Sequence, residues 1–201
     1  MRKVPLSPSQ GEEKDLASAF LATLYPLSSP EDFKVLYETF KKEHPRADHY
    51  PYAYVLNGLS KSSDDGEPGG SAGRPMMTLL QDNEIDGLLI VARYFGGSKL
   101  GIPRLRRAFL ASSEHAIKNA RFGTYQPRFV YHVDVDYPTY EILKNNAKRR
   151  SFSIENVQFD IKVRADIRSS GRLDGLGEAI GLFGLDLGEP DIQTILEEVS
   201  S

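Results

Sequence analysis

Residues Gly87–Tyr94 (GLLIVARY) form a nearly continuous apolar run, the pattern of a strand buried in a core, and the chain is glycine-rich on both sides of it. Ahead of the run lies SDDGEPGGSAGRP, residues 63–75, which is acidic. Sharing its last residues is RYFGGSKLG, residues 93–101, which is basic. Any fold for this chain must bury the strand and leave loops at its ends, where glycine can approach a ligand closely and take up positive φ at little steric cost. The acidic and basic character of the two segments marks them as the place to look for a site.

At 201 residues the chain has room for one large domain or two small ones. Its hydrophobic fraction of 40% and net charge of -3 describe an ordinary globular protein, so any basic function must be local. Cysteine is absent, which excludes a disulfide framework, a thiol nucleophile and thiolate metal sites. The first residues have no apolar stretch of signal-peptide length, and no run approaches the roughly 20 apolar residues of a transmembrane helix. A cytoplasmic protein without membrane contact is the expectation.

Residues 17–27 read as a strand. Ser28-Ser29-Pro30-Glu31 then starts a helix to about Glu43, with Phe33, Leu36, Tyr37 and Phe40 at helical spacing. Tyr52–Leu56 is a β-prone run between Pro51 and Asn57-Gly58, Pro75 opens a short helix, and Pro103 begins a longer one through about Asn119. Near residues 123–127 the helical pattern stops, and an aromatic, proline-containing connector is expected to separate an N-terminal domain, 1–123, from a C-terminal one, 127–201. The second part reads as a strand over 129–135, a helix over 138–150, strands over Phe152–Phe159 and 161–167, and a helix over 173–182. A last segment over 192–199 can close the chain as strand or helix. As a strand it gives the order βαββαβ, a ferredoxin-like unit, and the fold class is α+β.

Between Arg93 and Arg128 stand Arg93, Lys99, Arg104, Arg106, Arg107, Lys118, Arg121 and Arg128, against Glu114 alone. A strand that runs through glycines into a helix places free backbone N–H groups beside the positive end of a helix dipole, which favours an anion. Gly96, Gly97, Ser98 and Gly101 fit that arrangement. Lys99 adds a point charge, Arg93 and Arg104 add planar donor forks for phosphate oxygens, and Arg107 extends the basic face. The run matches neither GxxxxGK[ST] nor GxGxxG, and tight-turn geometry explains the glycines equally well, so both readings stay open.

In the acidic segment, Asp64, Asp65 and Glu67 offer hard oxygen ligands, but without the spacing of a calcium loop they read more readily as shaping the loop, with an internal contact to the strand that bears Arg93. No metal and no cofactor is expected. His44 and His49 lack zinc-type spacing and read as hydrogen-bonded structural groups, and His115 and His132 accompany no nucleophile pattern. No serine sits in GxSxG, and no catalytic centre is identified.

The two segments SDDGEPGGSAGRP and RYFGGSKLG, separated by a short helix and an apolar strand, closely resemble the signatures of the YigZ/IMPACT family. His49 to Tyr54 is similar to the histidine-containing approach to the family's AY strand, and Arg107-Ala108-Phe109 falls at its RA-aromatic helix position. Tyr50 and Pro51 stand where the family usually carries asparagine and cysteine, and Pro103-Arg104 replaces a paired glycine. The resemblance implies an N-terminal domain like the second domain of a small-subunit ribosomal protein and a C-terminal ferredoxin-like domain comparable with one in elongation factor G. It also implies a link to control of translation, which rests on fold-level analogy. The leading expectation is a non-enzymatic regulatory protein that binds RNA or the ribosome through the glycine-rich basic loop. A metal-assisted phosphate-handling enzyme and a module with a protein partner are the alternatives.

Overall fold

The computed structural model describes residues 2–199. The chain divides into two compact units, one reaching Thr124 and taking in Glu198 near the other end, the other running from Tyr125 to Glu197.

In the first unit, β2 (Ser9–Asp15), β3 (Ser18–Tyr25), β4 (Tyr52–Leu56), β5 (Leu59–Ser63) and β6 (Gly87–Tyr94) form an antiparallel sheet in the order β2-β3-β6-β4-β5. The apolar run GLLIVARY is therefore the central strand. Its alternate residues feed different cores. Leu88, Ile90 and Ala92 pack with Phe40 of α1 (Asp32–Glu43), while Leu89 and Val91 pack with Met76 and Leu80 of α2 (Gly73–Asp82) and with Leu105 and Phe109 of α3 (Ile102–Lys118). Period-two alternation sends these sets to opposite faces of the sheet, which is why the strand cannot afford a polar side. Phe109 closes on Phe20 of β3 in an edge-to-face contact at 5.0 Å between ring centroids, fixing α3 against the sheet.

Two strands of this unit are not signalled by their side chains. β2 has the sequence SQGEEKD and β5 has LSKSS, and both are edge strands whose order comes from backbone pairing with β3 and β4. Charges on β2 suit an edge that must not recruit another strand. Its outer carbonyls are also covered, Gln10 by the Asn119 side chain at 2.9 Å and Glu12 by His115 Nδ1 at 2.8 Å. That places His115 in a structural role. A short β1 (Val4–Pro5) pairs with Phe122 and Gly123.

The expected connector over 123–127 is corrected by the structure, since β7 (Phe122–Val135) runs straight through it. Pro127 is tolerated because pairing with β9 (Val163–Ser169) begins only at Phe129, so the missing N–H removes no bond of that ladder.

The second unit continues with α4 (Tyr137–Ala147), a short 3₁₀ turn, β8 (Phe152–Phe159), β9, α5 (Leu176–Ala179) and β10 (Asp191–Glu198). The order is βαββαβ, the sheet order is β10-β7-β9-β8, and the architecture is α+β with a ferredoxin-like second unit. Asp136 caps α4 by accepting from the Thr139 N–H at 2.9 Å. The helix expected over 173–182 is corrected to four residues. Gly181 takes up φ +79, Leu182 N–H reaches back to the Gly177 carbonyl at 2.8 Å, and Gly181 N–H reaches Glu178, a glycine C-terminal motif that stops the helix.

On the open face of this sheet, His132 of β7 is clamped between Asp166 of β9 at 2.6 Å and Asp191 of β10 at 3.2 Å. The Asp166 hydrogen bond, then that of Asp191, raises the imidazole above its ordinary value of 6.5. Asp166 is held below 3.8, first by the Asn156 amide and then by His132. The histidine contribution is complete below its unfolded value and disappears as pH rises through the higher folded one, whereas the aspartate contribution disappears as pH falls through its lowered folded value. The clamp is accordingly strongest between 3.8 and 6.5. Calorimetric melting should show the protein losing stability as pH rises above 6.5 relative to His132→Asn, in which that slope is removed.

Candidate functional site

Arg93 is the residue before the end of β6, and the segment ahead of β4 is docked onto it. Arg93 N–H donates to the His49 carbonyl at 3.0 Å, and Asp48 N–H donates to the Arg93 carbonyl at 2.8 Å. The guanidinium turns inward between the rings of Phe20 and Phe95, 5.7 and 5.5 Å from their centroids. There its Nη1 lies 2.6 Å from each carboxylate oxygen of Glu67, with the side chains 9% and 1% exposed respectively. This pair joins the acidic segment to the basic one. At such burial the pair gains little net stability from its charges but is costly to break, because either partner alone is an uncompensated interior charge. Arg93 Nε is buried without a hydrogen-bond partner among the described residues.

The other acids of the first segment are spent on its own backbone. Asp64 accepts from the N–H groups of Gly70, Ala72 and Gly73 at 2.8, 2.9 and 2.8 Å, covering the orphan donors at the start of α2. Burial pushes its carboxyl up, but those three donors outweigh it and hold the group below its ordinary range. Asp65 takes up φ +45, accepts from Tyr50 N–H at 2.7 Å, and receives His49 Nδ1 on its carbonyl, also at 2.7 Å. Asp64, Asp65 and Glu67 thus point at three different internal partners. Among the described residues no group of histidine, aspartate and glutamate is arranged to hold a metal ion.

These contacts leave a cleft of about 450 Å³ lined by Asp48, His49, Glu67, Arg93, Phe95 and Lys99, with Pro68, Leu100 and Ile102 as apolar lining. Since a carbonyl can only accept, His49 must carry a proton on Nδ1, which leaves Nε2 as an acceptor in the neutral ring. That atom lies 4.0 Å from Glu67 Oε1. Asp48 accepts from Phe95 N–H at 2.8 Å, and the phenyl ring of Phe95 is 45% exposed.

The glycines of the second segment serve geometry. A Cβ on Gly96 would lie 2.1 Å from the backbone of Ala17, so the loop passes β3 only because no side chain is there. Gly97 is left-handed at φ +84. Gly101, with φ +74 and ψ 154, occupies a region essentially closed to other residues and turns the chain into α3. No side chain caps that helix, Pro103 sits in its first turn where a donor is dispensable, and its start faces the cleft through Gly101 and Ile102. Tyr50 and Pro51 are held structurally: the Tyr50 hydroxyl donates to the His44 carbonyl at 2.6 Å, and the Pro51 carbonyl accepts from Val91 at 3.0 Å.

The expected donor set is therefore narrowed. Arg93 is already held by Glu67, and Arg104 pairs with Asp15 of β2, a contact that raises its guanidinium pKa further. Arg121 and Arg128 likewise hold Glu198 and Glu197. Lys99 is exposed in the cleft, Ser98 is exposed beside it, and Arg106 and Arg107 are exposed on α3. Among the described residues none of Lys99, Arg106 and Arg107 has an acidic partner. Asp48 and Phe95 lie outside the set of residues expected at the site, and His49 is expected only as a structural group. The nearest signal was the position of His49 just ahead of β4, whose pairing with β6 brings it beside Arg93.

A family model for the Impact N-terminal domain matches residues 16–117. An IMPACT family member of Haemophilus influenzae is 30% identical over 166 residues, covering 80% of this chain and 81% of that protein. The IMPACT family member YvyE of Bacillus subtilis is 31% identical over 156 residues, 73% and 72% of the two chains. YigZ of Escherichia coli, also described as an IMPACT family member, is 30% identical over 140 residues, 67% and 69%. A crystal structure described as that of a hypothetical protein shares the fold, with a TM-score of 0.61 at 22% identity over 97% of both chains.

Replacing Glu67 with Ala strands the Arg93 charge in the core, and urea unfolding should register a loss of about 3–5 kcal/mol. The double variant Glu67→Leu, Arg93→Met should recover most of that loss, because it removes both interior charges together.

Proposed function

The chain belongs to the IMPACT family, and from that premise we propose that it is a cytoplasmic, non-enzymatic regulatory protein of translation that grips RNA, free or in the ribosome, by its phosphates. The observation that carries this reading is Lys99, exposed without an acidic partner among the described residues and set in a cleft faced by the uncapped start of α3. A cation and unpaired backbone donors at one helix end favour a phosphate oxygen over neutral ligands.

Arg106 and Arg107 support the reading, since both are exposed on α3 and bear no neutralising carboxylate among the described residues. With a net charge of -3 overall, the attraction must be local. Among the described residues no helix is long and apolar enough to cross a membrane. The carboxylates that a metal-assisted phosphate enzyme would need are instead engaged with Arg93 and with backbone amides.

RNA affinity should fall steeply with salt. The variant Lys99→Ala, Arg106→Ala, Arg107→Ala should weaken binding to all sequences alike and flatten the log–log salt slope by about 0.7 for each lost phosphate contact on single strands. Filter binding across a salt series reads both effects. Salt-insensitive binding, or partners from extract that survive nuclease, would count against RNA and for a protein partner.

A further inference from the structure

Besides its charge, the cleft has an apolar and aromatic wall that phosphate contacts alone do not require. Pro68, Leu100 and Ile102 line it, as does Phe95 with 45% of its surface exposed. Its backbone N–H is bonded to Asp48, and the buried Arg93 guanidinium lies 5.5 Å from the ring centroid. An exposed aromatic ring in a cleft offers a flat ligand a stacking platform.

The cleft lining combines groups favourable to an anion, Lys99 and the start of α3, with the Asp48 carboxylate, which accepts from a hydrogen-bond donor. A ligand that carries both a negative group and a flat, hydrogen-bond-donating part meets a partner for each. Phe95 is the one exposed aromatic ring among the lining residues, and Lys99 the one exposed cation. A volume of about 450 Å³ is at the small-molecule end of binding sites and does not provide for a track of successive bases.

We propose that the cleft takes a single nucleotide, its base stacked on Phe95 and its phosphate held by Lys99 and the N-terminus of α3. This rests on the phosphate-recognition reading above and specifies its ligand: either a free nucleoside monophosphate or the phosphate-bearing terminal nucleotide of an RNA strand. Both sources present the same chemistry.

The test is an NMR titration of the labelled full-length chain with AMP, adenosine and inorganic phosphate in parallel, followed by short oligoadenylates with and without a terminal phosphate. AMP should shift the amides of residues 96–105 and bind at least about tenfold more tightly than adenosine or phosphate. Phe95→Ala should weaken AMP about tenfold and leave phosphate unchanged, and Lys99→Ala should weaken both. Phe95→Leu, which keeps apolar bulk without a ring, should behave as Phe95→Ala and guards against a packing defect. Oligonucleotides that compete only when terminally phosphorylated identify the strand end as the source, and AMP binding without such competition identifies the free nucleotide. AMP binding no tighter than phosphate, or unaffected by either Phe95 substitution, overturns the proposal. If RNA still binds with steep salt dependence in that case, the broader RNA reading survives, whereas loss of both removes both.

Discussion

The buried pair between Arg93 and Glu67 is the contact on which the site depends. Arg93 belongs to the central strand of the first sheet, and Glu67 belongs to the loop that Asp65, through Tyr50 and His49, also ties to that strand's end. Placing both charges in the interior forces them together, since an interior charge without its counterpart costs several kcal/mol. The requirement that the charges meet thus acts as a positional constraint. It draws residues 66–68 to the cleft wall and fixes the guanidinium between Phe20 and Phe95.

From that pair the rest of the cleft follows in order. With β6 ending at Tyr94, the chain must pass Ala17 closely at Gly96 and turn at Gly101 before α3 can begin. The other face of the loop is secured by Asp64, which supplies α2 with its missing N-terminal acceptors. Acidic residues are consumed in building the walls, and the cation left over, Lys99, gives the cleft its sign. Charge around the cleft therefore separates into structural charge, which is paired, and recognition charge, which is exposed and unpaired among the described residues.

Much of the fold was legible because its core elements are periodic. GLLIVARY, the α1 stripe of Phe33, Leu36, Tyr37 and Phe40, and the α3 face of Leu105 and Phe109 each state their geometry in the spacing of apolar residues. β2 was not legible, because an edge strand made of Gln10, Glu12 and Lys14 is ordered by its neighbour's backbone and by Asn119 and His115, which lie far along the chain. The shortened α5 was hidden for a different reason. Its apolar residues have helical spacing, and Gly181 overrides them through a left-handed turn. In the site, the two loops and the contact of the acidic one with the strand that bears Arg93 could be named from glycines and charges, but the remaining partners of those charges could not. Arg104 and Asp15 are separated by 89 positions, and no local pattern shows that they meet.

The central claim is that the acidic and basic glycine segments form one recognition surface. Its most direct test is an amide hydrogen-exchange footprint of the full-length protein with and without RNA. The account predicts that RNA slows exchange together at residues 64–68 and 96–105, one segment not changing without the other. Slowing confined to β7–β10 of the second unit, with both glycine segments unchanged, would contradict it.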